Sequence, residues 1–167
     1  SMSVLASAIF AFAVLGNVPD YLPLDVRKDI TYASEMCKAL GKPFLFDSDF
    51  VETVDMNGDS VPDYVIDTRG YDCYKMTQSL FGSSSGMPVY LYISTGNGRW
   101  KKEYGSYVYE YRVKKDYANL PYFDVWVRGD VGYKVNFQRY QWNGESMEIY
   151  EQRLGVEVPK QLWKNFD

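Results

Sequence analysis

The sequence alternates along the stretch Tyr107-Val108-Tyr109-Glu110-Tyr111-Arg112-Val113-Lys114. Its odd-numbered positions hold tyrosine or valine, and its even-numbered positions after Val108 hold charged residues. A period of two is typical of a β-strand with one face on a core and the other toward water. Residues 123–128 repeat the alternation, and residues 89–93 are apolar enough for a strand covered on both faces. Gly96-Asn97-Gly98 and Asn143-Gly144 lie between such runs, as hairpin turns do. We therefore predict mainly antiparallel β-sheet.

The apolar phase changes within residues 133–142 of this predicted sheet. Phe137 occupies an odd position, whereas Tyr140 occupies an even one. A β-bulge absorbs one extra residue in a strand and restores the pairing. The pattern predicts a bulge near Gln138-Arg139.

The region before the strands has helical spacing. Val26, Ile30, Ala33 and Cys37 fall on one face of a helix that begins after Pro23 and ends before Gly41. A single apolar face predicts a helix packed against another layer. The predicted fold class is therefore α+β, with antiparallel sheet and N-terminal helices packed on it.

Length and composition limit the class of protein. The chain has 167 residues, 46% of them apolar, which is enough for one domain, predicted over residues 17–167. It contains no histidine, which excludes Ser-His-Asp and Cys-His catalytic sets and histidine-ligated zinc. The formal net charge is −4, so no general nucleic-acid binding is expected.

Residues 1–16 contain a hydrophobic segment. Residues 4–15 carry no charge, are too few to span a bilayer, and match the core of a signal peptide with Ala11-Phe12-Ala13 as a small-x-small pattern. A basic stretch before the segment is missing, so a buried N-terminal helix or a helix that docks on a second copy in a homodimer is the alternative. The first interpretation predicts a periplasmic or secreted protein without an integral membrane span.

The chain contains two cysteines, Cys37 and Cys73. In an exported protein an even pair can form one disulfide, and the alternative is two buried free thiols. No histidine is present to activate either thiol, so a nucleophilic role is disfavoured.

Acidic residues are concentrated between Asp47 and Asp72, where eight acids and one base, Arg69, give a local charge of −7. Within this segment lies Asp55-Met56-Asn57-Gly58-Asp59-Ser60-Val61-Pro62-Asp63. The side chains of Asp55, Asn57, Asp59 and Asp63, with the Val61 carbonyl, supply the oxygen ligands that Ca²⁺ prefers in a tight loop. The alternative is a hairpin whose aspartates cap turn amides.

The predicted calcium loop is not an EF-hand, because Ser60 and Ile66 stand at positions 6 and 12, where an EF-hand has glycine and glutamate. Its flanks are strand-like, and it resembles the strand–loop–strand motif of FG-GAP repeats. With Glu35-Met36-Cys37-Lys38, Tyr71-Asp72-Cys73, Gly86-Met87-Pro88-Val89 and Tyr140-Gln141-Trp142-Asn143-Gly144, residues 34–151 resemble a family of small, uncharacterised bacterial exported proteins. The resemblance implies export, a calcium site and a Cys37–Cys73 disulfide. The motif occurs once, which excludes a propeller.

Two function classes follow. The first is a non-enzymatic exported binding module whose partner is another protein, such as an inhibitor, an immunity-type protein or an envelope protein. The residues predicted to meet that partner are aromatic: Tyr104, Tyr107, Tyr109, Tyr111 and Trp126. The second class is a glycan-directed hydrolase with paired carboxylates, for which Glu103 and Glu110 are candidates, although cross-strand pairing with lysine and arginine also explains them.

Overall fold

The computed structural model of the chain describes residues 18–130 and 134–162. The predicted signal peptide or docking helix at residues 1–16 lies outside the described residues. Within them are two α-helices, α1 (Leu24–Ala39) and α2 (Thr77–Phe81), and 3₁₀ turns at Ser48–Phe50, Thr68–Gly70 and Lys160–Leu162. The strands are β1 (Leu45–Phe46), β2 (Val51–Val54), β3 (Asp63–Asp67), β4 (Tyr71–Asp72), β5 (Met87–Ser94), β6 (Trp100–Val108), β7 (Glu110–Lys115), β8 (Pro121–Arg128), β9 (Val135–Trp142) and β10 (Met147–Val156).

The first sheet has the strand order β2-β3-β5-β6, and all of its pairs are antiparallel. Alternate side chains of its central strands enter two different cores, because successive residues of a strand point to opposite faces. Tyr64 and Ile66 pack with Val26 and Ile30 of α1, whereas Val65 packs in a separate cluster on the other face. Both faces of this sheet are therefore covered, as the apolar run at residues 89–93 predicts.

The second sheet has the order β10-β9-β8-β7, again antiparallel throughout. Its inner face contributes Phe123 and Val125 to the cluster that contains Val65 and Leu91 of the first sheet. The molecule thus has three layers, with α1 on the first sheet and the first sheet on the second. The predicted α+β class with mainly antiparallel sheet is confirmed.

The decisive stretch at residues 107–114 forms two strands in two sheets rather than one continuous strand. Val108 pairs with Met87 in the first sheet, whereas Glu110 pairs with Trp126 in the second. The chain changes sheets at Tyr109, whose amide donates to the Trp126 carbonyl at 2.8 Å. The burial expected from the alternation is reversed at Val108 and Glu110, which are 1% and 2% exposed, whereas Tyr111 is buried as predicted.

The change of phase near residue 138 has a different origin from the one predicted. β9 pairs with β8 without a register shift, so the bulge predicted at Gln138-Arg139 is wrong. The side chains of β9 alternate regularly, because Phe137 pairs with Trp126 on the outer face and Tyr140 pairs with Phe123 of the inner core. The apolar phase changes because β9 has aromatic residues on both of its faces. A register shift lies instead in the pairing of β9 with β10, between Ile149 and Glu151 of β10.

The helix is joined to the rest of the first layer by a disulfide between Cys37 and Cys73, with 5.8 Å between their Cα atoms. This pairing, which the family resemblance implied, is confirmed. At the other end of the helix, the Asp25 carboxylate accepts from Arg99 Nε and from the Trp100 amide, both at 2.8 Å. These hydrogen bonds lower the pKa of Asp25 to about 2. Both ends of α1 are therefore attached to the polypeptide beneath it.

Candidate functional site

The segment predicted to hold calcium connects β2 to β3, so its two ends are held by adjacent antiparallel strands. Val54 pairs with Asp63 at the base of this hairpin. Within the turn, Gly58 and Ser60 have φ angles of 74° and 65°. Ser60 therefore adopts the left-handed conformation for which glycine is usual, so its presence does not prevent the loop from closing.

Asp63 is the buried anchor of the loop, with 0% exposure. One of its carboxylate oxygens accepts from the Met56 amide and the other from the Ser94 amide, each at 2.7 Å. The Asn57 side chain donates to the Ser94 carbonyl at 3.1 Å. These bonds connect the loop to the end of β5, which lies beyond β3 in the first sheet.

Asp55 and Asp59 accept hydrogen bonds from amides of their own loop. The Asp55 carboxylate accepts from the Gly58 and Ser60 amides, both at 2.9 Å, and Asp59 accepts from the Val61 amide at 2.9 Å. This is the geometry of the amide-capping alternative. It leaves each carboxylate further acceptor capacity, because an ionised carboxylate has about four lone-pair sites.

The charge of the loop is not neutralised by basic side chains. Among the described ion pairs, none involves Asp55, Asp59 or Asp63. Burial, together with the nearby Asp59 and Asp55 carboxylates, raises the pKa of Asp63 to about 6 against the opposing effect of the two amides. The environment of Asp63 therefore disfavours the ionised form of its carboxyl group.

The donor chemistry of the loop fits a hard cation. Asp55, Asn57, Asp59, Asp63 and the Val61 carbonyl supply only oxygen ligands, the type that Ca²⁺ takes in irregular geometry. Across residues 18–130 and 134–162, however, no group of three or more cysteine, aspartate or glutamate side chains is placed to hold a metal ion. In the described arrangement the carboxylates face loop amides.

The five aromatic residues predicted to meet a partner do not form one exposed surface. Tyr104 packs edge-on against Phe123 in the inner core, with ring centroids 5.2 Å apart. Tyr111 is buried and donates to Glu52 at 3.0 Å, and Trp126 is 3% exposed. Tyr107 is exposed, and Tyr109 donates to the Ser84 carbonyl at 3.0 Å. The crossing at Tyr109 separates the set, because residues before and after it belong to different sheets.

The structure also separates the carboxylates considered for glycoside hydrolysis. Glu103 lies on β6, whereas Glu110 lies on β7 and binds Arg69 Nη2 at 2.8 Å. The solvent-facing pairing expected for Glu110 is wrong, because its side chain is 3% exposed. A shallow groove on the outer side of α1 includes one carboxylate, Glu35, in its described lining.

Two buried ion-pair groups were not found by sequence reasoning. Arg69 binds both Asp67 and Glu110 at 2.8 Å, and this group joins the two sheets. Asp124, which is fully buried, accepts from Arg112 and Arg139 on neighbouring strands. The signal for the first group was present in the sequence, since Arg69 is the single base among eight acids.

Comparison with protein-family models, with curated proteins and with solved structures finds no match to this chain. In the part of the chain that the structure describes, no helix has the length and apolar character needed to cross a membrane.

Proposed function

We propose that the protein is a non-enzymatic, exported binding module whose loop at residues 55–63 holds a structural Ca²⁺ ion. The ligands in this proposal are the side chains of Asp55, Asn57, Asp59 and Asp63 and the carbonyl of Val61. The module acts by binding another protein, of the inhibitor, immunity or envelope type.

The observation that carries the calcium proposal is the environment of Asp63. Its carboxylate is buried with Asp55 and Asp59 nearby, and burial together with these like charges raises its pKa to about 6. A divalent cation favours the ionised carboxylates and relieves their mutual repulsion. Because Asp63 also accepts from Ser94, a cation here stabilises the ends of β2, β3 and β5 together.

Export is supported by the Cys37–Cys73 disulfide, since such bonds persist in oxidising compartments and are rare in the cytosol. The uncharged segment at residues 4–15 and the resemblance to small exported proteins support the same periplasmic or secreted location. Extracellular compartments also supply the calcium concentrations that weak loop sites require.

The calcium proposal is tested by thermal unfolding of the full chain in EDTA and in about 5 mM calcium chloride, roughly 5–50 times the dissociation constants of about 10⁻³–10⁻⁴ M that extracellular sites have. An ion that binds only the folded state at that excess adds roughly 1–2.3 kcal/mol. For a chain of this size, that corresponds to a rise of roughly 2–9 °C in the melting temperature.

Asp59→Ala is the informative variant because Asp59 is exposed and its side chain accepts only one described hydrogen bond, from Val61. It is expected to lose the calcium-dependent rise. Asp49→Ala is the matched control, since Asp49 is an exposed acid of the same segment outside the loop. Equal melting temperatures of the unmodified chain in EDTA and calcium, together with no heat in calorimetric titration, contradict the proposal.

A further inference from the structure

The outer face of the second sheet, which points away from the first sheet, is built from arginines and aromatic rings. The register places Arg112, Asp124 and Arg139 side by side on three neighbouring strands. Trp126 and Phe137 form the next pair along the same face, and their ring centroids are 5.2 Å apart. Both rings are buried, 3% and 1% exposed, so the arginines above them are the groups that a partner would meet. Arginine is among the residues most enriched at the energetic centres of protein interfaces.

Two guanidinium groups are held in place on this face by one carboxylate. Arg112 donates to Asp124 through Nε at 3.1 Å and Nη2 at 2.7 Å. Arg139 donates through Nε at 2.8 Å and Nη2 at 3.1 Å. Asp124 is 0% exposed, whereas the two arginine side chains are 20% and 22% exposed. Each guanidinium therefore has an ordered position, and part of each arginine side chain is exposed.

Aromatic rings support the same guanidinium groups from below. Arg139 lies 3.9 Å from the ring centroid of Tyr122, and Arg112 lies 5.2 Å from that of Trp126. Arg153, on β10, lies 4.5 Å from the centroid of Phe137. A guanidinium already stacked and hydrogen-bonded loses less side-chain entropy on binding than a free one.

The charge of this face is opposite to that of the whole chain. Lys114 and Arg128 add two exposed cations to Arg112, Arg139 and Arg153, and the carboxylates at the same register positions are Glu110, Asp124, Glu148 and Glu151. Five cations against four carboxylates give a net charge of +1 on one face of a chain whose net charge is −4. Planar guanidiniums bind carboxylates in a bidentate manner, so the complementary ligand is rich in carboxylates.

We propose that this outer face is the partner-binding surface, and that its occupant is an acidic segment of another protein. The inference rests on the proposed function as a binding module and names its partner chemistry. A polyphosphate or nucleic acid is disfavoured as the occupant because the remainder of the chain is acidic, with eight acids between Asp47 and Asp72 alone.

The test uses fluorescence anisotropy with a labelled peptide of alternating glutamate and leucine, about ten residues long to match a strand across the face. We expect binding by the full chain that weakens several-fold between about 50 and 200 mM salt, because the contact is electrostatic. The double variant Lys114→Glu/Arg153→Glu is expected to weaken binding at least ten-fold. Neither residue contacts Asp124 in the described hydrogen bonds, so the buried ion pairs stay in place.

The matched control is Lys38→Glu/Lys75→Glu, which changes the net charge equally at exposed positions outside the second sheet. It is expected to bind the peptide as the unmodified chain does. Equal loss in both double variants overturns the assignment of this face, as does absence of peptide binding. Binding of inorganic polyphosphate in preference to the peptide overturns the choice of occupant.

A further arm tests whether the chain covers the face itself. The last described turn, Lys160–Leu162, contacts β7, the edge strand of the second sheet. If removal of residues 163–167 raises peptide affinity ten-fold or more, the chain's own terminus is the occupant and the proposal is wrong. The calcium melting experiment is run on the same samples. A calcium-dependent rise without peptide binding overturns only this inference, whereas peptide binding without the rise overturns only the calcium site.

Discussion

The two four-stranded sheets differ in how their faces are covered, whereas β1 and β4 form a separate two-stranded sheet. In the first sheet every residue of β3 is buried, because α1 covers one face and the second sheet covers the other. In the second sheet only the inner face enters a described core cluster, and the outer face carries guanidiniums over aromatic rings. The first sheet is therefore covered by apolar side chains on both faces, whereas the outer face of the second sheet is covered by arginines that are paired with Asp124 and stacked on aromatic rings.

Charge is also handled differently at the junction of the sheets and on the open face. Arg69, Asp67 and Glu110 are each 5% exposed or less, so solvent cannot replace a lost partner. Around Asp124 the carboxylate is buried but its two arginines reach water. Removing one partner should therefore cost more at the junction than on the face.

The largest effect is expected from Arg69→Gln, which leaves two buried carboxylates without their counterion. Breaking a buried ion pair by removal of one partner costs about 3–5 kcal/mol. Urea denaturation measures the change in the free energy of unfolding. Arg99→Gln is the control, because Arg99 is 70% exposed and its pair with Asp25 is solvated. A smaller loss in Arg69→Gln than in the control contradicts the distinction.

The disulfide belongs to the first region alone, and its removal is the next effect in size. Cys37 and Cys73 are 36 residues apart, for which the chain-entropy relation gives about 4 kcal/mol. The double variant Cys37→Ala/Cys73→Ala is expected to lose about 3–4 kcal/mol in urea denaturation under non-reducing conditions. Reducing agent should then have no further effect on this variant, while it destabilises the unmodified chain. Unchanged stability in the double variant would show that the bond is absent in solution.

A moderate effect is expected from Asp124→Asn on the open face. The amide oxygen still accepts hydrogen bonds, and the half-buried guanidiniums can turn toward solvent, so the loss is about 1–2 kcal/mol. Comparison of this variant with Arg69→Gln by the same denaturation measurement sharpens the contrast between face and junction. The contrast fails if Asp124→Asn is the more destabilising of the two.

The smallest effect concerns the pH dependence of the apo loop. The pKa of Asp63 in the folded chain is about 6, above its ordinary value of 3.8, so the folded state binds this proton more tightly. In EDTA, the contribution of Asp63 to stability therefore increases as the pH falls from about 7 toward 4 and is constant below that range. The contribution of Asp25 to stability has the opposite pH dependence: because its pKa is lowered to about 2, that contribution is lost as the pH falls toward 2.

The measurement is the difference in unfolding free energy between the unmodified chain and Asp63→Asn at several pH values. Because groups distant from Asp63 titrate equally in both proteins, the difference reports Asp63 together with the Asp55 and Asp59 carboxylates that interact with it. A difference that does not vary with pH would place the pKa of Asp63 at its ordinary value. If calcium binds, it should release protons near pH 6, which calorimetry in buffers of different ionisation enthalpy detects.

Local pattern was sufficient for much of the fold. The spacing of Val26, Ile30, Ala33 and Cys37 predicted α1, and the glycine turns at residues 96–98 and 143–144 predicted the β5–β6 and β9–β10 hairpins. These features depend on neighbours within a few residues, where propensity and periodicity act directly. The candidate calcium loop belongs to this class as well, since all five proposed ligands lie within nine residues.

What only the tertiary structure decided is where each alternating strand lies and which charges become buried. The sequence determines that residues 107–114 alternate between two faces. The tertiary structure brings the Val108 carbonyl so close to Gly86 that a Cβ added at residue 86 would lie 2.1 Å from its oxygen. The chain then changes sheets at Tyr109, which buries Glu110 against Arg69, 41 residues away. An alternating pattern cannot predict such a partner, because it indicates which side chains share one face of a strand but not which sheet the strand joins.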